Sequence, residues 1–128
     1  MAQGFNLHLG VKHVLQKAIS YTDNGSAVTI GTIPSGAVVT GGGVSVHTAF
    51  NAGTGNVLDI GTSDDADGFA TDLALGTIGV ISVDEMATTN DQLASADVTI
   101  TATVALSGTA ATAGAGRVWV EFIPPVSS

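Results

Sequence analysis

Asp97-Val98-Thr99-Ile100-Thr101-Ala102-Thr103-Val104-Ala105-Leu106 is the stretch that decides the fold. Strict alternation puts Val98, Ile100, Ala102, Val104 and Leu106 on one side and Thr99, Thr101 and Thr103 on the other, the period of a half-buried β-strand. Short hydroxyl side chains on such a face either meet water or pack under another layer, and the residues leave both open. Arg117-Val118-Trp119-Val120-Glu121-Phe122-Ile123 repeats the pattern, and Pro124-Pro125 stops it because proline has no N–H to give a ladder. Between the two, Ser107 to Gly116 is Gly, Ala and Thr without an apolar anchor and reads as a mobile hairpin tip.

Working toward the N-terminus, Ala27 to Ile33 alternates and runs into the turn Pro34-Ser35-Gly36. A second strand, about Ala37 to Phe50, is interrupted by Gly41-Gly42-Gly43, which predicts a bulge or a close backbone approach; beyond it Val44, Val46, Thr48 and Phe50 share a face. Asn51 to Gly55 is a turn, Asn56 to Ile60 a short strand and Gly61 to Gly68 an acidic loop, with further strands over Phe69 to Leu75 and Thr77 to Val83. Asp84 to Leu93 reads as a short helical turn or an irregular crossover. In Phe5 to Thr22 the spacing of Val11, Val14, Leu15 and Ala18 permits a helix, and an extended arm joining a neighbouring subunit fits equally. With a strand near 14–20, the count reaches about eight, at the intervals of an all-β sandwich, for which a jelly roll is the first choice. Residues 1–22 form an N-terminal arm or lead-in strand in this reading, and 23–128 the sandwich domain.

Composition agrees. Hydrophobic residues make up 45% of the 128 and charged residues 11%, which excludes both charge-driven disorder and a salt-bridged helical bundle. With four Phe, one Trp and one Tyr, the core falls to small aliphatic side chains. Three Lys or Arg against eleven Asp or Glu give a net charge of −8, which lacks the clustered cations that phosphate neutralisation needs, so no nucleic-acid partner is expected. The absence of cysteine removes thiol catalysis, disulfides and Cys-ligated metals. Met1 to His8 has neither a basic n-region nor a long apolar run, so the expected product is soluble, without a secretory leader or a membrane partner.

Chemistry is sparse. Ser63-Asp64-Asp65-Ala66-Asp67-Gly68 resembles a Ca²⁺ turn, yet with Gly68 at the sixth loop position the twelfth is Ala74, so the bidentate carboxylate is missing; the plain reading is a solvated turn with Asp side chains capping their own backbone. His8, His13 and His47 have no zinc-protease spacing, and His47 is read as a sheet-face residue that packs or meets a subunit. Gly43-Val44-Ser45-Val46-His47 misses a nucleophile elbow at its last position, and the carboxylate pairs Asp64 with Asp67 and Asp84 with Glu85 sit in solvated runs. Gly41-Gly42-Gly43 has no Lys after it and is no phosphate cradle. No enzyme, cofactor or metal is expected. Trp119 shares a strand face with Arg117, Glu121 and Ile123, opposite Val118, Val120 and Phe122. Either the first set forms an outward apolar patch in want of a partner, or the terminal strand is buried on both faces.

The runs Val28 to Val39, Val44 to Asn51 and Val57 to Ala70, with Ile33-Pro34-Ser35-Gly36-Ala37, Thr48-Ala49-Phe50-Asn51 and Gly61-Thr62-Ser63-Asp64, resemble small head proteins of tailed bacteriophages, over about residues 26 to 72. The resemblance is to capsid decoration, or cement, proteins, and it implies a compact β-domain, commonly trimeric, seated on the outer shell over junctions between major capsid subunits. It brings no catalytic residues. What it implies here is a homotrimer made in the host cytoplasm that binds the phage major capsid protein and reinforces the shell. Phe5, Leu7 and Leu9 in the arm, with Trp119 and Ile123, are the candidate contacts. The runner-up is a receptor- or carbohydrate-binding β-module of a tail or head fibre, against which the few aromatics count.

Overall fold

The computed structural model describes residues 12–83 and 93–125, so Phe5, Leu7 and Leu9, and most of the crossover read at Asp84 to Leu93, lie outside the described residues. Eight strands follow in order: β1 (His13–Ser20), β2 (Ala27–Ile33), β3 (Val38–Thr48), β4 (Gly55–Thr62), β5 (Ala70–Ala74), β6 (Gly79–Ser82), β7 (Val98–Ser107) and β8 (Ala115–Ile123). Where the N-terminal spacing permitted a helix, His13–Ser20 is extended and pairs with β8 along its whole length.

The strands form two antiparallel four-stranded sheets, sheet A in the order β1-β8-β3-β6 and sheet B in the order β2-β7-β4-β5. Their pairing is nested: β1 with β8, β2 with β7, β3 with β6 and β4 with β5. One long ribbon thus doubles back on itself and rolls up, and β3–β8 and β4–β7 contacts complete each sheet. This is a jelly roll, the first choice from the strand count and turn intervals.

Inward-facing alternate residues fill the space between the sheets: Leu58 and Ile60 from β4, Ile100, Ala102 and Val104 from β7, Val118, Val120 and Phe122 from β8, and Val39, Val44 and Val46 from β3. Each buried aliphatic side chain contributes about 1.5–3 kcal/mol of transfer free energy, so the many small ones stand in for scarce aromatics. In β3 the ladder shifts between Val39 and Gly41, the bulge predicted from the glycine run.

The segment after β7 differs from the sequence reading. β7 and β8 belong to different sheets, so residues 108–114 cross from sheet B to sheet A and close no hairpin. The anchor is polar and comes from elsewhere in the chain. Asn51 Oδ1 accepts from the Thr112 and Ala113 N–H groups at 2.8 and 3.0 Å, Asn51 Nδ2 donates to Thr112 Oγ1 at 3.0 Å, and the Gly53 N–H donates to the Thr109 carbonyl at 2.9 Å. Gly114, at φ +150°, lies against the buried Phe50 ring where no side chain would fit.

Candidate docking face

β8 runs through sheet A between β1 and β3, so its alternate residues have separate fates. Val118, Val120 and Phe122 are buried, and Arg117, Trp119, Glu121 and Ile123 occupy the outward face. Of the two readings open for Trp119, the outward one holds, and the indole is half-buried by its own sheet. Glycine explains how. Gly43 is the residue opposite Trp119 on β3, and a Cβ there would meet the Ile81 carbonyl oxygen of β6 and stand 2.9 Å from the indole Cη2, so β6 backbone and the ring together occupy the position a side chain would take. Gly41 faces Glu121 in the same way, with Oε1 3.2 Å from where its Cβ would be. The glycine run is therefore a bed for the outward side chains of β8, and it leaves a shallow depression lined by Thr40, Gly41, Gly42, Ser82 and Val83 beside Trp119.

Apolar groups extend this face. Val14, opposite Glu121 on β1, is 52% exposed, and Val80, opposite Ser45 on β6, is 70% exposed. Successive rows of the sheet thus place Val14, Trp119 and Val80 on a diagonal. At one end Ile123 pairs with the partly exposed Val38, to which exposed Leu93 is bridged. All three cations of the chain, Lys12, Lys17 and Arg117, lie on or beside β1 and β8. Lys12 meets Glu121 at 3.9 Å; Lys17 and Arg117 are exposed and make no ion pair among the described residues.

The outward face of sheet B is built differently. Gly61 of β4 leaves a space that the backbone of Asp65 and Ala66 fills, so the acidic loop folds back over its own sheet. Thr101, opposite Gly61, is 7% exposed, which settles the threonine row in favour of packing at that position. The loop is held by the Thr62 hydroxyl, which accepts from the Asp64 and Asp65 N–H groups at 3.3 and 3.0 Å, by the Thr62 N–H donating to the Asp65 carbonyl at 2.8 Å, and by the Ser63 N–H donating to the Thr99 carbonyl at 3.1 Å. Thr62, rather than the Asp side chains expected from sequence, caps the turn. Asp64, Asp65 and Asp67 are exposed, and Asp59 and Asp72 add two more carboxylates to this side, Asp59 Oδ1 accepting from the Asp72 N–H at 2.8 Å.

Reactive constellations do not assemble from these parts. Ser45 Oγ and His47 Nε2 are 3.1 Å apart, but both lie on one exposed strand face, Ser45 sits mid-strand instead of on an elbow, and no carboxylate hydrogen-bonds the ring among the described residues. His13 packs on Phe122 with ring centroids 5.3 Å apart. Among the described residues no group of three or more His, Asp or Glu stands where it could hold a metal ion, and no helix is long and apolar enough to cross a membrane.

The chain matches no protein-family model and no curated protein sequence. Its fold does have solved counterparts. A chain of the cyanophage Pam1 capsid asymmetric unit superposes with a TM-score of 0.69 at 19% identity, over 98% of this chain and 91% of that one. A chain of the acid-stable capsid of Helicobacter pylori bacteriophage KHP30 gives 0.67 at 18% identity, over 91% and 90%. One from the capsid of Ralstonia phage GP4 gives 0.69 at 16%, over 93% and 88%. The likeness is one of fold. Coverage is nearly complete in both directions, so each counterpart is a single β-domain of about this length.

Proposed function

We propose that this chain is a structural virion protein of a tailed bacteriophage, a decoration or cement protein that binds the outer surface of the assembled capsid and stabilises it. The observation that carries the reading is the nearly complete two-way coverage between this jelly roll and small chains of phage capsids. A domain of this size, with its charge mostly acidic and no assembled reactive site among the described residues, suits adhesion more than chemistry. Binding only the assembled lattice disfavours its dissociation by mass action, and the many equivalent sites of a shell accumulate modest contacts. The working form is a homotrimer made in the host cytoplasm, with the arm residues Phe5, Leu7 and Leu9 and the outward residues Trp119 and Ile123 as its contacts with the major capsid protein or between subunits.

The test is direct. Purified protein is mixed with phage shells that lack it. Co-sedimentation, together with a rise in the temperature at which shells release DNA, supports decoration; glycan binding by the isolated protein with no effect on shells points instead to a fibre module. Light scattering of the free protein reads the trimer, and deletion of residues 1–10 without loss of docking removes the arm from the contact set.

A further inference from the structure

Charge is distributed unevenly over this molecule. Among the described residues, the side of sheet A that carries Trp119 also carries Lys12 and Arg117 against one carboxylate, Glu121, whereas Lys17, paired with the buried Val118, has the opposite parity on edge strand β1. The opposite side presents Asp59, Asp64, Asp65, Asp67 and Asp72, and no cation. In a chain of net charge −8, two of the three cations thus stand beside the exposed apolar diagonal, Val14, Trp119 and Val80. Long-range repulsion would turn the acidic side away from a negatively charged surface while the cationic side is drawn to it, so the two faces orient the protein before contact.

We propose that the outward face of sheet A is the face that docks, that its partner is a capsid surface patch with an apolar centre rimmed by carboxylates, and that the acidic side of sheet B stays in solvent. The proposal rests on the decoration reading and gives it an orientation. Trp119 on its glycine bed supplies a rigid apolar anchor, and Arg117, exposed and without an ion-pair partner among the described residues, is one row away to meet a partner carboxylate. A partner of this charge makes docking sensitive to salt, because exposed charges are screened within about 8 Å at physiological ionic strength.

Docking of the full chain to shells lacking it is measured at about 50 and about 300 mM NaCl, for wild type, Arg117→Glu, and Asp59→Asn with Asp72→Asn. The expected result is affinity that falls with salt in wild type, a loss of about tenfold or more at low salt in the Arg117 variant with a flattened salt dependence, and unchanged or tighter docking in the Asp59/Asp72 variant. Circular dichroism of each variant checks that the fold is kept. Loss of docking in the Asp59/Asp72 variant with the Arg117 variant unaffected overturns this orientation and leaves decoration standing. Loss of self-association instead of shell binding in the Arg117 variant assigns the face to a second copy and also overturns it. Wild type that binds no shell at either salt concentration overturns the decoration reading, and this proposal with it.

Discussion

Sheets A and B have the same strand number and the same inward alternation, yet they finish their outward faces in different ways. Sheet B uses its own chain: the acidic loop seats its backbone in the space above Gly61, and Thr101 is buried there. Sheet A uses glycine in the opposite sense, with Gly41 and Gly43 making room for outward side chains and leaving Trp119 half in solvent. At Gly61 backbone alone fills the place of the missing Cβ, whereas at Gly43 the backbone of β6 and the Trp119 ring share it and the ring still presents an apolar edge. The first surface is closed over Gly61 by the monomer's own loop, whereas the second leaves an apolar ring half exposed.

Filling the space above Gly61 attacks this contrast most strongly. In Gly61→Val the new side chain meets the backbone of Asp65 and Ala66, which cannot give way as a flexible side-chain end would. We expect a loss of about 3 kcal/mol in urea unfolding and faster amide exchange around Thr101. Unchanged stability would mean that the loop is not seated on sheet B. A smaller loss is expected at the crossover between the sheets. Asn51→Ala leaves the exposed Thr112 and Ala113 N–H groups without their acceptor, at a cost of about 0.5–1.5 kcal/mol. A variant that unfolds with wild type would show water replacing the side chain there without penalty.

These two positions also mark where sequence reasoning stopped. Strand positions and inward faces were legible because a period of two needs only local information, and the faces of Val98 to Leu106 and of Val118, Val120 and Phe122 came directly from it. Partners were not legible. Alternation says which side of a strand is buried but not which sheet receives it, so neighbours in sequence, β7 and β8, read as a hairpin though they lie in opposite sheets. Asn51 and Thr112 are 61 residues apart, and nothing near Ser107 to Gly116 signals the bond between them. Gly61 reads as the start of a loop, although a glycine at the end of a strand can also mark another backbone packed on it. The outward parity of Trp119 was plain, but its glycine bed was visible only as a bulge signal, since a glycine run does not say what approaches it.

Trp119 separates folding from docking. Trp119→Ser removes a half-buried ring from the outer surface of a sheet whose core is untouched, so stability should fall by about 1 kcal/mol while shell binding falls by at least about tenfold. As the chain has one tryptophan, its emission reports this face alone, and docking should shift it to shorter wavelength. Emission unchanged on addition of shells that do bind would take Trp119 out of the contact and leave sheet A no less finished than sheet B.

The finest distinction is at Val80. Its side chain is 70% exposed on edge strand β6, and it touches little that the monomer needs, so Val80→Lys should change unfolding free energy by less than about 0.5 kcal/mol. Edge strands of soluble proteins usually carry a charge or a proline that discourages further pairing, and Gly79–Ser82 has neither. An apolar edge that no described residue protects persists at little risk if it is covered in the working assembly. Lysine at this position places an unpaired charge in any contact that includes the diagonal from Val14 through Trp119, and docking should weaken several-fold, because desolvating that charge opposes the gain from burying its neighbours. If shell binding is unchanged while concentration-dependent aggregation of the free protein declines, Val80 belongs to an exposed edge and the docking surface ends at Trp119. If both binding and aggregation decline, one apolar surface serves both and reaches across the full width of sheet A.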